Sequence, residues 1–145
     1  MSRRRKSSVR IVSEADLVRE LAKALSLDGY RVRSEVSNMG QSADMVATRG
    51  RWVTIIEAKI RDWRRALKQC QGHEQVADFV CVAIASARVA NGLLHMARAR
   101  GYGVIHYDGK KHKFGWTLRP RLNRLVWTPQ RRYWARNMKG VALCQ

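Results

Sequence analysis

Apolar residues recur at helical spacing near the start of the chain. Leu17, Val18, Leu21 and Leu25 fall on one side of a 3.6-residue repeat. Ser13 stands before them as an N-cap, with Asp16 at the third helical position in a capping-box-like arrangement. The spacing predicts a helix from Glu14 to about Leu27, ended by Asp28-Gly29. The period then changes to two. Tyr30, Val32 and Val36 alternate with Arg31, Arg33 and Glu35, as in a half-buried strand. A polar loop over 37–42 leads to two further strand-like runs, 43–48 and 52–59, around the turn Arg49-Gly50-Arg51. The second run is apolar on both faces, with Trp52, Ile56 and Ala58 on one and Val53 and Ile55 on the other. A strand buried on both faces is a central strand.

The pattern continues with a helix over 61–76, its apolar stripe formed by Trp63, Ala66, Leu67 and Cys70. Gly72 weakens that helix by about 1 kcal/mol relative to alanine, which marks close packing or an early end. A fully apolar strand follows over 79–85, then a helix over 90–100 ended by Gly101, and a strand over 103–107. Residues 114–118 suit an edge strand, and Thr128-Pro129 and Gly140 carry the start and stop signals of a last helix. A helix between two buried strands implies a parallel crossover. The expected fold is therefore α/β, a mixed central sheet flanked by helices with a basic C-terminal extension. Three parts are expected: an N-terminal arm (1–10), a folded domain (11–118) and an extension (119–145). At 145 residues the chain suits one such domain with a genuine core.

The hairpin register carries the chemistry. With Gly50-Arg51 as a two-residue loop, residue 49 faces 52, and by the same count Asp44 faces Glu57. Opposed residues in an antiparallel pair have Cβ atoms roughly 4.5–5.5 Å apart, so the carboxylates sit side by side. Glu57 and Lys59 share a face because side chains alternate. Adjacent carboxylates repel, and one pKa rises unless a cation intervenes. A hard cation such as Mg²⁺, which takes one or two carboxylates and completes its shell with water and phosphate oxygens, relieves that repulsion. Lys59 can then orient or deprotonate a water, or neutralise a phosphate. This is equipment for metal-assisted phosphodiester hydrolysis. An acid and a lysine two apart also occur on solvated sheet faces, but the central position of this strand argues against mere surface decoration. Glu14 lies one turn before Leu17 and Val18 and so points to the buried side, for a functional role or for the helix dipole.

Charge narrows the partner. The 29 basic and 11 acidic residues leave a net +18, which favours a polyanion, most commonly nucleic acid. A packaging protein that binds without chemistry shares this trait. Arg3, Arg4 and Arg5 form a basic arm, and no acid follows Asp108. Lys110, Lys111, Lys113, Arg131 and Arg132 belong to a basic run interleaved with Trp116, Trp127, Tyr133 and Trp134. Cations of this kind neutralise phosphates, and such rings either stack on bases or fill a core. Cys70, Cys81 and Cys144 have no zinc-site spacing and suit free thiols in a reducing compartment. No apolar run is long enough to span a bilayer, and no apolar segment follows the basic N-terminus as in a secretory signal. The expected location is cytoplasmic, nucleoid-associated or phage-encoded, with no membrane partner.

Glu14 in the first helix, Asp44 on the second strand and Glu57-Ala58-Lys59 on the third, with a helix and an apolar strand after them, resemble the PD-(D/E)XK nuclease superfamily over residues 11–108. Gln69-Cys70-Gln71-Gly72-His73 is similar to that superfamily's QxxxY motif, with histidine in place of tyrosine, and Ala43 stands where the motif proline is common. The resemblance implies a restriction-endonuclease-like fold and metal-dependent cleavage of nucleic acid, usually DNA, with RNA not excluded. It implies Mg²⁺, or Mn²⁺, held by Asp44 and Glu57 with Glu14 direct or through water. Lys59 would position or activate the water, and Gln69 would support the site or touch phosphate. A nicking, structure-specific or junction-resolving endonuclease is the leading expectation, and junction cleavage would call for a homodimer. The alternatives are a catalytically inactive nucleic-acid-binding protein that keeps the fold, and a ribonucleoprotein component working through its basic tail.

Overall fold

The structure is a computed structural model, and residues 10–38, 41–123, 129, 132 and 133 are described. Its element order is α1 (Glu14–Leu27), β1 (Arg31–Asn38), β2 (Gln41–Arg49), β3 (Trp52–Lys59), α2 (Trp63–Gln71), β4 (Phe79–Ile84), α3 (Asn91–Arg100), β5 (Gly103–Asp108) and β6 (Lys113–Leu118). The six strands form one sheet in sequence order. β1, β2 and β3 run antiparallel, β3 to β4 and β4 to β5 are parallel, and β6 returns antiparallel along β5. The parallel steps are those joined by a helix, because a tight turn cannot connect parallel neighbours. This is the mixed α/β sheet expected from the sequence, in a restriction-endonuclease-like arrangement.

Strand alternation divides the core into two layers. On one face α1 sets Leu17, Leu21 and Leu25 against Met45, Ala47, Ile56 and Ala58. On the other, α2 and α3 set Ala66, Leu67, Cys70, Leu93 and Ala97 against Val46, Val53, Ile55, Val82 and Ile84. β3 is buried along nearly its whole length, as its two-sided apolar pattern requires. Fully burying an aliphatic side chain contributes about 1.5–3 kcal/mol, so the leucine stripe holds α1 in place. Its start is fixed by a complete capping box. Ser13 Oγ accepts the Asp16 N–H, and Asp16 Oδ2 accepts the Ser13 N–H, each at 3.1 Å.

Several boundaries differ from expectation. The second helix stops at Gln71 rather than 76, because Gly72 ends it and the chain turns through 72–76. Much of the 37–42 loop belongs to a longer β1–β2 hairpin, with Asn38 paired to Gln41. Val18 is half-buried rather than part of the fully buried stripe. Cys70 and Cys81 are buried free thiols, as expected. The final-helix signals at Thr128 and Gly140 lie outside the described residues. Residues 119–123 turn back onto the domain, where Arg121 N donates to Gly101 O at 2.9 Å and Asn123 N to Asp78 O at 2.7 Å. Among the described residues no helix is long and apolar enough to cross a membrane.

Candidate active site

The β2–β3 ladder has the register read from the sequence. It runs from Arg49↔Trp52, across the Gly50-Arg51 loop, to Met45↔Ile56. Gly50 supports the tight turn with a left-handed φ of 59°. One step further the same register opposes Asp44 to Glu57. There the backbone ladder gives way to a side chain, and Asp44 Oδ2 accepts the Ala58 N–H at 2.8 Å. β1 is also interrupted at this level. Its pairing skips Glu35, between Ser34↔Met45 and Val36↔Ala43, and Glu35 adopts φ 54°. A non-glycine residue in this region carries strain of order 1–3 kcal/mol, and such residues cluster at functional sites.

Glu57 has no exposed surface. Its Oε1 lies 2.7 Å from His73 Nε2, and His73 is equally buried. The early end of α2 creates this contact: His73 N bonds Cys70 O at 3.0 Å in the turn after the helix. Burial raises the Glu57 pKa above the ordinary carboxylate value, the His73 bond opposes the rise, and the Asp44 carboxylate adds to it. Glu57 Oε2 is buried with no hydrogen-bond partner among the described residues, and so is Gln69 Oε1. Burial also pushes the Cys70 thiol well up, with the Glu57 and Asp44 charges adding to it, so the end of α2 lies within electrostatic reach of both carboxylates.

Lys59 is 7% exposed and its Nζ lies 3.4 Å from Glu14 Oε2. Glu14 therefore stands at the mouth of the site, its side chain 51% exposed, and not inward as its helical position suggested. Glu14 is the first residue of α1, three positions before Leu17, the first fully buried residue of the helix. The arrangement joins Glu14 to Lys59, Asp44 to the Ala58 N–H and Glu57 to His73. Among the described residues no three His, Cys, Asp or Glu side chains gather into a ready metal-binding group.

The donor chemistry nonetheless suits a hard cation. An unpartnered buried carboxylate oxygen is costly in the absence of a cation or donor. Asp44 and Glu57 together offer the one or two carboxylates that Mg²⁺ ordinarily takes. The role of His73 was legible only as a motif substitution, because its partner lies 16 residues away. Of the basic residues read from the sequence, Lys110, Lys111 and Lys113 are exposed around the β5–β6 turn, and Arg132 is exposed. Arg3, Arg4, Arg5 and Arg131 lie outside the described residues.

No protein-family profile matches the chain. No curated protein matches it either. Solved structures do. A protein of unknown function from Silicibacter pomeroyi superposes with a TM-score of 0.66 at 16% identity, covering 90% of this chain and 86% of that one. An XisH family protein from Nostoc punctiforme superposes with a TM-score of 0.53 at 16% identity, covering 69% of this chain and 97% of the other. At such identities the likeness is one of fold alone.

Proposed function

We propose that this protein is a metal-dependent endonuclease of the PD-(D/E)XK type that hydrolyses phosphodiester bonds in DNA. The observation that carries the reading is the buried Glu57 carboxylate, opposed to Asp44 in the hairpin register and held by His73 through one oxygen while its other oxygen has no partner. Asp44 and Glu57 are the residues that would hold Mg²⁺ or Mn²⁺. A divalent ion there supplies a Lewis acid for a phosphoryl oxygen and lowers the pKa of water.

The chain's own groups account for the rest. His73 fixes the Glu57 side chain so that Oε2 remains available. Asp44 is oriented by the Ala58 N–H. Lys59 brings a positive charge to the end of β3, and Glu14 keeps its ammonium within 3.4 Å in the free protein. When a DNA phosphate arrives, that ammonium turns from Glu14 to the phosphate or to the attacking water. Glu14, already at the site mouth, then gives up its bond to Lys59. The net charge of +18 supports a polyanionic substrate.

The Glu14–Lys59 contact also favours a second reading, a nucleic-acid-binding protein that keeps this fold without cleavage, its lysine permanently engaged. One experiment separates them. Supercoiled plasmid, linear duplex and four-way junction DNA are incubated with Mg²⁺ or Mn²⁺ and with wild type, Glu57→Ala or Lys59→Ala. The nuclease reading predicts cutting by wild type only, and only with metal. Equal DNA binding by all three proteins, with no cutting by any, establishes the second reading.

A further inference from the structure

A cleft of about 310 Å³ lies at the opposite end of the sheet, lined by Tyr30, Arg49, Trp52, Phe79, Trp116 and Arg119 among others. It is assembled from the start of β1, the β2–β3 turn, the start of β4 and the end of β6. Trp52 and Phe79 meet at 5.8 Å between ring centroids. Two guanidinium groups of the lining stack on its rings, Arg49 over Tyr30 at 4.7 Å and Arg119 over Trp116 at 4.8 Å, and a third, Arg51, outside the lining itself, stacks over Trp52 at 4.4 Å. All three arginines are exposed, the aromatic rings are half-buried, and no acidic side chain lines the cleft among the described residues.

Stacking holds an arginine's planar fork in place and leaves its edge N–H groups free for bidentate contact with phosphate. Two such forks in the cleft, with Arg51 beside it on Trp52, form a prearranged phosphate-binding rim. The cleft volume is at the lower end of the roughly 300–1,000 Å³ typical of small-ligand pockets, which suits one unstacked base and excludes a duplex. From Trp52 to Glu57 the strand advances about 17 Å at roughly 3.3 Å per residue, so the cleft and the carboxylates are separate sites.

We propose that this cleft is a second nucleic-acid site that binds single-stranded DNA, with one base against the Trp52, Phe79 and Trp116 rings and flanking phosphates on Arg49, Arg51 and Arg119. The proposal shares with the proposed function only the polyanionic partner and requires no cleavage. It is tested without metal, so failure of the nuclease reading leaves it standing. Fluorescence anisotropy measures binding of a labelled oligothymidylate and of a duplex of equal length to the full chain across a salt series. The proteins compared are wild type, the triple variant Arg49→Gln, Arg51→Gln, Arg119→Gln, and Arg98→Gln on the exposed side of α3. The triple variant is expected to lose roughly tenfold in single-strand affinity. Its log–log salt slope is expected to flatten by about 2, near 0.7 for each lost phosphate contact. Duplex affinity should change far less, Arg98→Gln should behave as wild type, and single-strand binding should quench wild-type tryptophan fluorescence. Unchanged single-strand affinity and slope in the triple variant, or an equal loss on single strand and duplex, would overturn the proposal.

Discussion

Replacing His73 with alanine probes the centre of the candidate site through stability alone. In the wild type, His73 Nε2 lies 2.7 Å from Glu57 Oε1, both side chains are essentially inaccessible, and Glu57 Oε2 already lacks a partner among the described residues. Removing the imidazole takes away the hydrogen bond that Glu57 Oε1 makes in the core. Deleting one member of a buried hydrogen bond, so that the other is left unsatisfied, costs about 1–3 kcal/mol. Against a total of about 5–15 kcal/mol for a domain, this is a large share. The loss also has a pH signature. The folded-state pKa of Glu57 is raised, chiefly by burial, and His73 lowers it again. Without His73 it rises further. A raised carboxylate pKa means that the folded state binds the proton more tightly than the unfolded one. Stability therefore falls as pH rises from the unfolded value toward the folded one, and is regained as pH falls back through that window. Urea denaturation in EDTA at neutral pH should show His73→Ala destabilised by about 1–3 kcal/mol. The deficit should shrink on acidification, and Glu57→Gln combined with His73→Ala should be less damaging than the sum of the single changes. A loss below about 1 kcal/mol, a pH-independent loss, or strict additivity would show that the pair is not coupled as described.

Other parts of the fold give independent expectations. Leu21→Ala should cost about 2–5 kcal/mol in urea denaturation, since Leu21 is 1% exposed beneath α1. Gly103→Ala should destabilise by about 1–3 kcal/mol, because a Cβ there would sit 2.8 Å from both Cys81 Sγ and Pro120 Cδ; an unchanged melting temperature would contradict this packing. Ser13→Ala should cost about 1 kcal/mol through loss of the capping box, visible as a lower thermal midpoint.

The sheet was legible because its signals are local. Gly50 fixes a two-residue loop, and the apolar alternation on either side admits only one register, so Asp44 and Glu57 could be opposed by counting. The two-sided apolar run of β3 and the intervening helices likewise fixed the parallel centre. What escaped depends on contacts between distant segments. The inward direction expected of Glu14 failed because its orientation is set by how α1 lies across the sheet, and that brings it to Lys59, 45 residues away. His73 reaches Glu57 only because α2 ends early at Gly72. The left-handed backbone of Glu35 has no sequence signal, since the residue is not a glycine. The aromatic and arginine cleft draws on four separate stretches of chain, and none of them alone reads as a site.

Calorimetric titration of Mn²⁺ into the metal-free protein tests the central claim most directly, because the account requires the Asp44 and Glu57 carboxylates to share one cation. Wild type should bind a single ion per chain, and Asp44→Asn and Glu57→Gln should each abolish that heat while remaining folded. Undiminished Mn²⁺ binding in both variants, or no binding by wild type under conditions where it cuts DNA, would contradict the account.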